Sequence, residues 1–179
     1  MSENTPSTPD TAAQDAALHG GVIVGMQPGQ SPRVLQEAIR YAKILSAPLV
    51  VVHVDVTRFV TYEDPDGYVH SAPIDINLDA GAAEFTEVQS AAEAVLAAES
   101  ITWTARQLVG DPAVAIKHLA NRIDAQLIVV GTRKRGLGET IREFFTGSVA
   151  ARLAHRQHRP ILVVPLEEPI EDAQDLWAE

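Results

Sequence analysis

Cysteine is absent from this chain. That excludes a disulfide framework, a thiolate metal site and a redox thiol. Aromatic side chains make up only 5% of the residues, so a core must rest on Val, Ile, Leu and Ala. No apolar run approaches the ~20 residues that a membrane-spanning helix needs. The first residues show no basic-then-apolar leader pattern, and the cytoplasm is the expected setting. Positive charge is scarce: 14 Lys and Arg stand against 24 Asp and Glu, a net charge of −10. Broad nucleic-acid or anionic-membrane binding needs a basic face, so neither partner is expected.

What is present is a globular composition. The chain has 179 residues, 46% of them apolar, enough for one domain with a sizeable core. Residues 1–19 are rich in Ser, Thr, Pro, Asp and Ala and hold no large apolar residue except Met1 and Leu18, which suggests a mobile tail. Residues 20–165 carry the domain, and 166–179 form an acidic tail.

Within the domain, short apolar runs alternate with helical patterns. Gly21 to Met26, Leu49 to Val54, Ile101 to Leu108, Leu127 to Val130 and Ile161 to Val164 read as strands. Several are apolar without alternation, as in strands buried on both faces. Leu35, Ala38, Ile39, Ala42 and Leu45 recur at helical spacing, as do Phe85, Val88, Ala92, Val95 and Leu96. Ser31-Pro32 and Asp111-Pro112 read as caps followed by a first-turn proline. Gly81 weakens its helix by about 1 kcal/mol relative to Ala. Residues 56–77 break the pattern and read as a long loop. Five strands alternating with four helices predict an α/β fold: a doubly wound, five-stranded parallel sheet of order 3-2-1-4-5 in an α/β/α sandwich.

In such a sheet, ligands bind beyond the carboxyl ends of the strands where the order reverses. The turn at Met26–Gln30, the strand end at His53–Asp55 and the loop after Val130 would meet there. That loop is basic and glycine-rich, with Arg133, Lys134, Arg135, Gly136, Gly138 and Arg142, and it ends in Gly147-Ser148. Exposed N–H groups, a helix start capped by Ser148 and clustered cations suit a phosphate. Turn and cap chemistry alone would also select Gly131, Gly147 and Ser148. The cations could equally be a solvated surface. His53 fits a strand-end histidine better than a ligand. His155 and His158 stand at metal-sharing spacing but also suit a helix C-terminus. Asp64, Asp66 and Asp75 read as solvated acids within reach of a phosphate-bound Mg²⁺.

Other site patterns fail. Leu137 follows Gly136 where a P-loop needs Lys, and neither a dinucleotide fingerprint nor a nucleophile elbow occurs. No set of residues for efficient turnover stands out.

Taken together, Val22-Ile-Val-Gly25, His53-Val54-Asp55, Val109-Gly110-Asp111-Pro112, Leu127-Ile-Val-Val-Gly131, Gly147-Ser148-Val149 and His158-Arg-Pro160-Ile-Leu-Val-Val-Pro165 resemble the universal stress protein family, single-domain bacterial type. That family is a flavodoxin-like, Rossmann-like branch of nucleotide-binding α/β domains. ATP-binding members carry Gly-x2-Gly-x9-Gly-Ser/Thr. Gly131 and Gly147-Ser148 match its ends; Lys134 stands at the second glycine, and the loop is three residues longer. Gln27 stands where those members often have an acid. The resemblance implies a stress-response, nucleotide-binding regulatory module taking ATP or AMP, with Mg²⁺ accompanying ATP and hydrolysis at most slow. Its implied contacts are Gly25, Met26, Gln27 and Val54 on the adenine and ribose side. Val130, Gly131, Thr132, Arg133, Lys134, Gly147, Ser148, Val149 and Ala150 would lie on the phosphate side. The alternative is a homodimeric interaction protein of the same fold that binds no ATP, pairing through the edge strand Ile161–Val164.

Overall fold

A computed structural model describes residues 11–63, 69–73, 80–132 and 148–166. In chain order it contains α1 (Thr11–Ala17), β1 (Val22–Gly25), α2 (Arg33–Leu45), β2 (Leu49–Asp55), β3 (Arg58–Glu63) and β4 (Val69–Pro73). Then follow α3 (Ala80–Leu96), β5 (Trp103–Val109), α4 (Pro112–Arg122), β6 (Leu127–Gly131), α5 (Val149–Ala154) and β7 (Ile161–Val164).

Five strands form one parallel sheet in the order β5-β2-β1-β6-β7, the order expected. β1 lies at its centre, with Ile23 facing Val50 on one side and Ile128 on the other. Although β1 is apolar throughout, its side chains still alternate between faces. Val22 and Val24 pack with Leu49, Val51 and Val129 under α2 and α3. Ile23 packs with Val50, Val52, Ile128 and Val130 under α4 and α5. In α2 the helical spacing predicted from sequence is what enters the core: Val34, Leu35, Ala38, Ile39 and Ala42 are all buried.

Three expectations are corrected. The mobile tail was expected to reach His19, but residues from Thr11 form α1. Leu18 is buried in the core beneath α4, and the Asp15 carboxylate is paired with Arg106 of β5 and, at 2.9 Å, with Arg122 of α4. The apolar anchor just after the helix and this ionic node help hold α1 to the domain. The long loop at 56–77 instead contains an antiparallel hairpin of β3 and β4, a separate two-stranded sheet with a register shift between Val60 and Tyr62. Pro32 takes the N-cap position of α2 rather than its first turn, and Ser31 Oγ accepts from Arg33 N at 3.3 Å. At α4 the reading held: Asp111 caps and Pro112 opens the helix.

Candidate functional site

The order of the sheet reverses between β1 and β6. From β1 the chain turns toward α2 on one face; the segment after β6 rejoins at α5 on the other. Gly25, the last residue of β1, stands opposite Val52 and Val130, so β2 runs on past it to Asp55 and β6 to Gly131. Adjacent strands whose connections leave toward opposite faces open a crevice at their carboxyl ends.

The structure brings several expected residues to this rim. Met26 and Gln27 follow β1, and Met26 N donates to Val52 O at 2.8 Å. Val54 stands one residue before the end of β2, half-buried against the α4 and α5 face. Val130 and Gly131 end β6 and Thr132 follows it, while Ser148 caps α5 and Val149 and Ala150 open it. Arg133, Lys134 and Gly147 lie outside the described residues, as do Arg135, Arg142 and the acids Asp64, Asp66 and Asp75.

Local chemistry accounts for part of this rim. A Cβ on Gly131 would lie 2.5 Å from Gln30 Nε2, 3.0 Å from Val34 Cγ2 and 3.1 Å from Leu166 Cδ1. Close packing therefore favours a glycine at 131 without any ligand. Thr132 binds β7 twice: its N–H donates to Val164 O at 2.9 Å, and its Oγ1 accepts from Leu166 N at 3.0 Å. Ser148 Oγ accepts from Ala151 N at 3.1 Å, the bond of a helix N-cap.

Two polar ties frame the crevice and were not legible in sequence. The first is Asp111, whose Oδ1 accepts from Val114 N at 3.0 Å while its Oδ2 pairs with Arg152 of α5. Burial pushes the Asp111 carboxyl up, but the Arg152 guanidinium and the N–H groups of Val114 and Ala113 together hold it below the usual carboxylate range. One side chain thus caps α4 and ties α5 to it. The second tie comes from α3. Glu87 Oε1 accepts from Gly29 N at 3.0 Å, joining residues 58 apart in sequence. Beside it, buried His53 places Nδ1 3.3 Å from Met26 O. Its Nε2 lies 3.2 Å from Glu84 Oε2 without the alignment of a hydrogen bond.

Among the described residues, no group of three His, Cys, Asp or Glu is placed to hold a metal, and His155 serves as the C-cap of α5. No helix among them is long and apolar enough to cross a membrane.

The parallel five-stranded sheet with helices on both faces and a switch point between β1 and β6 defines the doubly wound α/β class of fold. Within that class the chain belongs to the universal stress protein family, whose model matches residues 21–165. It is 29% identical over 152 residues to the stress response protein NhaX of Bacillus subtilis, covering 75% of this chain and 90% of that protein. A universal stress protein from Archaeoglobus fulgidus superposes with a TM-score of 0.61 at 23% identity, over 82% of this chain and 98% of its own. A universal stress protein solved in complex with cAMP gives a TM-score of 0.55 at 26% identity, covering 84% of this chain and 99% of that one.

Proposed function

We propose that this protein is a stress-response module that binds an adenine nucleotide, ATP or AMP, at the β1/β6 switch point and does not turn it over efficiently. The observation that carries the reading is the divergence of the connections after β1 and β6 to opposite faces of the sheet, beside the longer strand β2. Gly25, Met26, Gln27 and Val54 take the adenine and ribose. Val130 to Lys134 and Gly147 to Ala150 take the phosphates, and Mg²⁺ accompanies ATP. A related protein bound to cAMP supports the adenine nucleotide as the ligand class. Isothermal titration is expected to show ATP or AMP binding that weakens as salt rises. Lys134→Ala and Ser148→Ala should each weaken it several-fold. Flat titrations of the wild-type chain at millimolar nucleotide would sink the reading.

A second reading concerns assembly, and it rests on β7. That strand is the sheet edge, and Val163 on it is 43% exposed. An apolar edge strand is a template for a second copy, so a homodimer through Ile161–Val164 is the partner it fits. Sedimentation velocity at micromolar concentration should give a dimer; a clean monomer overturns it.

A further inference from the structure

The turn after β1 has few supports among the described residues. Gly29 at its tip has φ +64°, and a Cβ there would meet nothing within 4 Å, so the tip is open on that side. Pro28 has no N–H to contribute. Two of the remaining donors stay inside the turn. Gln27 N donates to Gln30 Oε1 at 2.8 Å, and Gln30 N donates to Gln27 O at 3.2 Å. Gly29 N reaches outward, to Glu87 Oε1 at 3.0 Å. At the base of the turn, His53 meets Met26 O. Of these contacts, only the one from Glu87 fixes the tip to the body of the domain.

We propose that Glu87 is a positioning residue for the ligand crevice: from α3 it holds the Gln27–Gln30 turn in the conformation that meets the nucleoside end of the ligand. This rests on the nucleotide-binding reading above. Without the bond the tip loses its tie to α3 and is held less firmly. A ligand must then order it on binding, which costs affinity. The role needs an acceptor at residue 87, not a charge, because the donor is a neutral backbone N–H. Glutamine should therefore serve in place of glutamate.

The test uses the full chain in three forms: wild type, Glu87→Ala and Glu87→Gln. Glu87 is exposed, so both variants should keep the wild-type unfolding midpoint. Amide hydrogen exchange at Gly29 should quicken about tenfold in Glu87→Ala and stay near wild type in Glu87→Gln. ATP or AMP affinity by titration should fall about five- to tenfold in Glu87→Ala and stay within about twofold in Glu87→Gln. Equal Gly29 exchange in all three forms overturns the tether. Faster exchange with unchanged nucleotide affinity overturns its role in the crevice. A wild-type chain that binds no adenine nucleotide overturns the assignment of the crevice itself, while the exchange arm reports the tether separately.

Discussion

Gly81→Ala is expected to lower the urea midpoint of the protein, by roughly 2–4 kcal/mol in unfolding free energy. Propensity alone says the opposite, since alanine gains about 1 kcal/mol over glycine inside a helix. The difference is Asp55. A Cβ on Gly81 would collide with the Asp55 carboxyl group, and even its more distant oxygen, Oδ1, would lie 2.9 Å away. The carboxylate cannot easily swing aside. It is buried at the end of β2, and Oδ1 accepts from Thr57 N at 2.8 Å and Thr57 Oγ1 at 2.6 Å. Nor can α3 easily lift, because Gly81 O accepts from Gln107 Nε2 of β5 at 2.8 Å. A double-mutant cycle with Asp55→Ala would isolate the clash: most of the Gly81→Ala penalty should vanish in that background. A midpoint at or above wild type for the single variant would refute the close packing.

The second large effect is expected at Asp15. Its side chain is 11% exposed and lies between Arg106, 13% exposed, and Arg122, 26% exposed. Truncation to alanine leaves two mostly buried guanidinium groups facing each other without their shared anion. Breaking a buried pair typically costs 3–5 kcal/mol, and because Arg122 is partly solvated about 2–3 kcal/mol is expected here. Asp15→Asn keeps a hydrogen-bond acceptor and should cost less. Urea unfolding of the three forms measures this. A wild-type midpoint for Asp15→Ala would mean that α1 contributes nothing to the folded domain in solution.

These two sites also mark where the sequence stopped being informative. The parallel sheet was legible because Val, Ile and Leu runs at 22–24, 49–52, 127–130 and 161–164 have few other uses than buried strands. The rim was legible because its residues sit at the ends of those strands. By contrast α1 has no large apolar residue of its own, Leu18 follows it, and the Arg106 partner of Asp15 is 91 residues away, so nothing local distinguishes it from a tail. The hairpin at 58–73 was missed because turn residues and acids dominate its sequence, hiding two short strands. Gly81 read as a weak point because its reason, the Asp55 carboxylate, belongs to another element. Glu87 was invisible on the same ground: a surface acid on a helix has no signature for a backbone donor 58 residues earlier. Gly131 was legible as special, but sequence could not separate packing against Gln30, Val34 and Leu166 from contact with a phosphate.

The central sheet divides the interior in two. Leu35 and Val88 lie on one side, Ile116 and Leu153 on the other, with the strands as a common wall. Helices on opposite faces of a sheet are about 20 Å apart axis to axis, since each layer packs at about 10 Å. The two halves are therefore separate jigsaws, and each can be re-cut without matching changes in its twin. Core variation among descendants of this chain should accordingly sort into two uncorrelated sets. Correlation between them should return only at the crevice, where residues from both sides border one opening.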